Sequence, residues 1–199
     1  MIEKSKLTND IDQIVRVFQN GGIVIFPTDT VWGVGCIASN QKAIKRLYSV
    51  KKRESGKPTS LLVGQKEWVD DLVDGILPEA RELTHKYWPG GLTLIFKAKN
   101  GVPASIMGKN GTVGIRMPNH PKLLEIINKL SGPILGPSAN FAGEAPPNSV
   151  SDLDPELVKK VDLVLQGDVG KGLGSTIVDV TNKPFKILRE GVVKIEINN

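Results

Sequence analysis

The chain has 199 residues, 40% apolar and 24% charged, which suits one globular domain over residues 1–199. A formal charge of +5 favours phosphate-bearing partners, nucleotide or nucleic acid, without choosing between them. One cysteine, Cys36, excludes an intramolecular disulfide, and with only His85 and His120 beside it the usual zinc site is excluded too.

The start Met1-Ile2-Glu3-Lys4-Ser5-Lys6 is polar, and no apolar run reaches membrane-spanning length, so a cytoplasmic protein with no membrane partner is expected. Thr8 or Asn9 is placed to cap a helix with Ile11, Ile14, Val15 and Phe18 on one face, and Gly21-Gly22 stops it. Residues 23–26 are apolar and mostly β-branched, which predicts a strand buried on both faces. Asn40 caps a second helix with Ala43, Ile44, Leu47 and Tyr48 inward. Residues 60–63 follow as a strand. Pro78 opens a helix through Trp88, broken by Pro89-Gly90-Gly91. Residues 92–98 have strand composition, and Asn110-Gly111 is a turn ahead of a strand over 112–116. Pro121 opens a helix with Leu123, Leu124, Ile127 and Leu130 inward. Ile134-Leu135 is a short strand running into Gly136-Pro137-Ser138-Ala139-Asn140. Residues 148–160 are polar and end in a short helix, and residues 161–165 return to the core. Four glycines in residues 167–174 predict a mobile loop. Residues 175–180, 185–188 and 192–197 read as closing strands. Strands and helices interleave, but the late run of strands points to a mixed sheet.

Five constellations carry chemistry, and each has a bland reading beside it. Lys51, Lys52, Arg53 and Lys57 are a solvated charge run or a clamp on phosphate or carboxylate. Pro27-Thr28-Asp29-Thr30, just past a buried strand, is a turn or a ligand site at a strand end. Ser138-Ala139-Asn140 offers hydrogen-bond donors. It is no nucleophile elbow, since Pro137 precedes the serine and Asn140 stands where a glycine is needed. Residues 167–176 miss the Walker pattern because Gly172 follows Lys171. Arg116 and Arg189 each end a strand, and with the basic loop they make a converging set of cations conceivable.

Six motifs occur in order: Pro27-Thr-Asp-Thr-Val-Trp-Gly-Val-Gly35, Lys51-x-Arg53 followed by Lys57-Pro58, Tyr87-Trp-Pro-Gly-Gly-Leu-Thr93, Val113-Gly-Ile-Arg-Met-Pro-x-His-Pro121, Ser138-Ala-Asn140-x-x-Gly143 and Gly174-Ser-Thr-Ile-Val-Asp179. Over residues 8–192 the chain resembles the threonylcarbamoyl-AMP synthase family, the YrdC/Sua5-like proteins, in a short single-domain form. The resemblance implies an α/β fold with a twisted, open mixed sheet, flanking helices and a basic concave face. It also implies a nucleotidyltransferase that forms threonylcarbamoyl-AMP and pyrophosphate from L-threonine, bicarbonate and ATP, with Mg²⁺ on the ATP. The product would feed the t6A modification of tRNA adenosine 37, completed by other proteins. By the same resemblance Lys51, Arg53, Ser138 and Asn140 fall around the reacting groups. Thr30, Leu62, Arg116, Gly136 and Ser175 fall at the threonine pocket, with Arg116 on the carboxylate and Gly136 as a backbone contact. Arg53, Lys57, Thr112, Ser138, Pro146 and Arg189 fall at the nucleotide site. Asp29 stands where many members have Glu, Trp32 where Tyr or Phe is usual, Glu54 where Pro is usual and Leu62 where some have His.

Two other readings compete. A double-stranded RNA or tRNA-binding module would use the basic face, with salt-steep binding. Three Trp, two Tyr and five Phe are too few for base stacking along a single strand. A carbamoyl-transfer domain of a hydrogenase-maturation protein is disfavoured by the missing zinc-finger Cys pairs.

Overall fold

The computed structural model describes residues 4–54, 57–170 and 172–196. In chain order the main elements begin with β1 (Leu7–Thr8), α1 (Ile11–Gln19), β2 (Val24–Phe26), β3 (Gly33–Gly35), α2 (Gln41–Val50), β4 (Leu61–Leu62), α3 (Val69–Leu72) and α4 (Pro78–Tyr87). They continue with β5 (Leu92–Lys97), β6 (Thr112–Arg116), α5 (Pro121–Leu130), β7 (Ile134–Leu135), α6 (Pro155–Lys160), β8 (Leu163–Leu165), β9 (Thr176–Asp179) and β10 (Lys186–Arg189). One sheet runs β1-β8-β2-β3, and the other runs β10-β9-β5-β6-β4-β7. Their inner edges meet where β3 runs beside β7. Bridges join Gly33 to Ser138 and Ile37 to Ile134, and Val34 N–H donates to Pro137 O at 2.9 Å. The result is an open sheet with parallel pairs (β1·β8, β2·β8, β4·β6, β5·β9) and antiparallel pairs (β2·β3, β4·β7, β5·β6, β9·β10).

Strand alternation divides the core in two. Ile23, Ile25, Val34, Leu61, Leu92, Leu94, Phe96, Val113, Ile115, Leu135 and Val178 pack with α2, α4 and α6 on one face. Val24, Phe26, Leu62, Ile134, Leu163 and Leu165 pack with α1 and α5 on the other. The periodic residues Ile14, Val15 and Phe18 of α1 are buried there as the spacing predicts, each stabilising the fold by about 1.5–3 kcal/mol. This second cluster draws no side chain from β5, β6 or β9. The second face of those three strands is left without a helix over it.

Several local expectations change. The cap of α1 is Asp10, whose Oδ1 accepts Gln13 N–H at 3.0 Å; Thr8 instead accepts from Asp10 N–H at 3.0 Å. A carboxylate suits a helix N-terminus better than a hydroxyl, because it also meets the dipole. In α5 the buried side chains are Leu123, Ile126 and Ile127, with Leu124 and Leu130 only partly buried. Residues 192–196 form no strand, and Ile197 lies outside the described residues. Val192 N–H donates to Gly174 O at 3.0 Å, and the Thr176 hydroxyl takes Gly191 N–H at 3.0 Å and Val193 N–H at 3.3 Å. A side chain thus captures the donors a ladder would use. The glycine loop is docked: Gly170 N–H reaches Thr28 O and Gly172 N–H reaches Thr30 O, both at 3.2 Å. A Cβ at Gly170 would sit 1.9 Å from Asp29 O, so only glycine allows that approach. Lys171 lies outside the described residues.

Candidate functional site

Ladder register defines the uncovered face residue by residue. Arg189 stands opposite Ile177, Ile177 opposite Thr93, and Leu62 opposite Arg116. A second row places Asp179 opposite Ile95 and Ile95 opposite Gly114. Thr112, Gly114 and Arg116 are alternate residues of β6, so they share this face, away from Val113 and Ile115. Gly33 pairs with Ser138 and faces Phe26 of the second cluster, which puts Ser138 on the same side as Gly136. The floor of the cleft is therefore Gly114 and Ile95, rimmed by hydroxyls and arginines. From Thr112 to Arg116 the cleft runs about 13 Å at strand spacing.

At the Arg116 end the guanidinium is held by three hydrogen bonds. Arg116 Nε donates to Gly90 O at 3.0 Å, Nη1 to Thr30 Oγ1 at 2.8 Å, and Nη2 to Asp29 Oδ1. Asp29 Oδ1 also accepts Asn119 N–H at 3.0 Å. Thr30 Oγ1 lies 3.0 Å from Thr28 Oγ1, and Thr28 donates to Val31 O at 2.7 Å. Burial lowers the Arg116 pKa, and the Asp29 carboxylate opposes that shift. Of five guanidinium donors three are used, which leaves two for a ligand. His120 is a cap: its Nδ1 accepts Leu123 N–H at 3.3 Å, and burial lowers its pKa against the pull of Asp29.

Arg189 is brought to this end by a β-bulge. Lys186 pairs with Asp179 and Ile187 with Val178, but the next pair is Arg189 with Ile177, so Leu188 is supernumerary. In a regular ladder Leu188 would face the cleft and Arg189 the core side. The bulge reverses this, leaving Leu188 56% exposed. Arg189 then donates from Nε (3.0 Å) and Nη2 (2.8 Å) to Ser175 O, and from Nη2 to Ser175 Oγ at 3.2 Å. A Cβ at Gly174 would meet this guanidinium at 3.1 Å.

The basic loop divides its cations. Lys51 is 2% exposed and turned inward; Nζ donates to Ser138 O, and to Asn140 O at 2.6 Å. Lys51 O accepts Ala142 N–H at 3.2 Å, so this residue ties the end of α2 to the Ser138–Asn140 turn twice. Burial first, then the Arg53 charge, pushes the Lys51 ammonium down to about 8, with Glu144 opposing. Lys52 lies over the Phe141 ring at 4.4 Å. Arg53 Nη2 donates to Pro58 O at 2.6 Å. Lys57 pairs with Glu54 at 3.1 Å on the surface. Tyr48 OH anchors the returning chain on Lys57 O at 2.7 Å. Thr112 adjoins Pro58 through Gly108, where a Cβ would meet Thr112 Oγ1 at 2.8 Å and Pro58 Cβ at 3.6 Å. Arg53 Nε and Asn140 Oδ1 are buried atoms without a partner among the described residues.

The sequence candidates thus gather at two ends of one cleft, Arg116, Thr30, Ser175 and Arg189 at one and Arg53, Thr112, Lys51, Ser138 and Asn140 at the other. Gly136 N–H donates to Ser60 O at 3.1 Å, and the Leu62 side chain, 2% exposed, packs against Gly136 within the α1/α5 cluster. Pro146 is exposed, beside Pro147, whose carbonyl accepts Trp32 N–H at 3.2 Å. Sequence reading missed Asp29 as the partner of Arg116, and Thr93, whose Oγ1 is 2.8 Å from Ser175 Oγ. A hydroxyl between Leu92 and Leu94 was the available signal for Thr93. Among the described residues no three His, Cys, Asp or Glu side chains gather to hold a metal, and no helix is long and apolar enough to cross a membrane.

Known proteins match this architecture. The Sua5–YciO–YrdC family, described as "Telomere recombination", matches residues 16–191. The threonylcarbamoyl-AMP synthase of Pyrococcus abyssi is 34% identical over 179 residues, which cover 89% of this chain and 53% of that protein. A putative threonylcarbamoyl-AMP synthase of Methanocaldococcus jannaschii is 38% identical over 187 residues, covering 89% and 83%. The crystal structure of P. abyssi Sua5 complexed with L-threonine has a TM-score of 0.87 at 34% identity, over 91% of this chain and 54% of that one. The chain spans about half the length of the P. abyssi relative. Taken with the sheet and the two-ended cleft, these matches show that the chain belongs to the Sua5/YciO/YrdC family.

Proposed function

We propose that this chain is an L-threonylcarbamoyladenylate synthase, a nucleotidyltransferase acting on L-threonine, bicarbonate and ATP. The carrying observation is the Arg116 end: a guanidinium preset by Thr30, Asp29 and Gly90, with two donors left over, beside the Ser175 hydroxyl. That arrangement suits the carboxylate of an amino acid. The homologous structure holding L-threonine supports the same choice. At the other end, Arg53, Lys57 and Thr112 suit a triphosphate, since guanidinium and ammonium groups pair with phosphate oxygens.

The chemistry needs no protein nucleophile. The threonine amine and bicarbonate form a carbamate with loss of water. A carbamate oxygen attacks the α-phosphorus of ATP, a P–O bond forms, and the bond to pyrophosphate breaks. Positioning and charge neutralisation dominate such transfers. Mg²⁺ would arrive on the triphosphate, where the ion supplies charge neutralisation. Lys51 would act by holding the Ser138–Asn140 turn against the transferring group. The product would pass to other proteins for t6A formation on tRNA adenosine 37, in the cytoplasm.

The test is pyrophosphate release by the purified protein. Release that requires both threonine and bicarbonate is expected. Release indifferent to threonine rejects the assignment.

A further inference from the structure

Thr93 has no role in the reading above, yet it occupies a specific place. It is 2% exposed on the cleft face of β5, with Oγ1 2.8 Å from Ser175 Oγ. Ser175 Oγ also receives Nη2–H of Arg189 at 3.2 Å. A guanidinium only donates, so Ser175 Oγ is the acceptor in that bond. Each hydroxyl owns one proton, and the Thr93–Ser175 contact uses one of the two. No other acceptor is recorded for Thr93 among the described residues. If Ser175 donated, the Thr93 proton would be left buried without a partner, a costly state for a hydroxyl. If Thr93 donates, both demands are met, and the Ser175 proton is left for the cleft.

We propose that Thr93 is a positioning residue that turns the Ser175 proton toward the amino acid, and that the Arg189–Ser175–Thr93 chain couples nucleotide binding to amino-acid binding. This rests on the synthase reading for the identity of the two ligands. The family resemblance puts Arg189 at the nucleotide site, and a nucleotide that reached its remaining donors from the basic-loop end would fix the guanidinium on Ser175. A hydroxyl that accepts two charge-assisted or aligned bonds is a better donor, and its orientation is already ordered. The amino acid then binds with less to order, which is positive cooperativity. Linkage makes the effect reciprocal: threonine tightens the nucleotide by the same factor.

Calorimetry reads this directly. L-threonine is titrated into the protein alone and with saturating α,β-methylene-ATP and Mg²⁺, and the nucleotide analogue with and without threonine. Wild type should show equal tightening in both orders, about fivefold or more. Thr93→Val, which keeps volume and removes the donor, should bring the factor close to one, and Thr93→Ser should restore it. If Thr93→Val does not fold, Thr93→Cys, a weak donor of similar size, is expected to show a reduced factor. A wild-type factor of one, or an undiminished factor in the Val variant (or in Cys if Val fails), overturns the proposal while leaving the synthase reading intact. Failure of the wild type to bind threonine at all overturns both.

Discussion

The two ends of the cleft are finished to different degrees. At the Arg116 end each polar group meets a complement: Arg116 with Asp29, Thr30 and Gly90, and Ser175 with Arg189 and Thr93. At the basic-loop end Lys51 and Arg53 are held by backbone carbonyls, and two buried polar atoms have no complement among the described residues. A small, rigid ligand such as an amino acid rewards a preset socket, because little is then lost to ordering. A triphosphate brings its own charge and metal, so an end built from cations on carbonyls is left to be completed by the ligand.

The largest expected effect breaks the finished end. Asp29→Ala leaves Arg116 buried at 8% side-chain exposure without its counter-charge. Urea unfolding should show a loss of about 3–5 kcal/mol. An unchanged midpoint would mean that the pair contributes nothing to the socket. Next comes the tie at the other end. Lys51→Met should lower turnover by about 10²–10³ while retaining threonine binding by calorimetry.

Lys51 also gives a pH signature. Its folded pKa is lowered from 10.5 to about 8. Between those values the unfolded chain binds the proton that the folded chain has released, so stability rises with pH across that window. Below about pH 8 both states carry the charge, and the folded one bears the desolvation cost. Unfolding free energies measured from pH 7.5 upward should therefore climb in wild type relative to Lys51→Met. A parallel pair of curves would show that the lysine is not desolvated in solution.

Gly114→Val probes the shared floor. A Cβ there already approaches Ser60 Oγ at 3.1 Å and Thr93 Cγ2 at 3.4 Å, so a branched side chain must stand up into the cleft. We expect a stability change of about 1–3 kcal/mol and a raised KM for ATP. The smallest effect belongs to Glu54→Ala. The Glu54–Lys57 pair is 80% and 53% exposed, and its loss should change stability by less than about 1 kcal/mol. A KM for ATP that falls in this variant would show that Glu54 competes with the triphosphate for Lys57.

Much of this was legible in sequence because it is local. The α1 and α2 faces follow from spacing, the Asn110-Gly111 turn from its residues, and the strand-end position of Ser138 from the apolar pair before it. What hid was non-local. A run of Lys51, Lys52 and Arg53 reads as solvated, and nothing in it reveals that Lys51 turns inward to carbonyls 87 and 89 positions away. Thr93 looked like one more β-branched strand residue, since its partner Ser175 is 82 positions on. The glycines of residues 167–174 suggested freedom, whereas at Gly170 the absent side chain permits close docking on Asp29.

The supernumerary Leu188 separates where an arginine sits in sequence from where it sits in space. Two homologous strands that differ by one residue at this point can deliver the guanidinium to the same spot on Ser175, although a gapless comparison would pair it with a neighbour and score it as lost. Tracing this arginine through the family therefore calls for matching β10 by ladder partner, with Ile177 as the fixed reference.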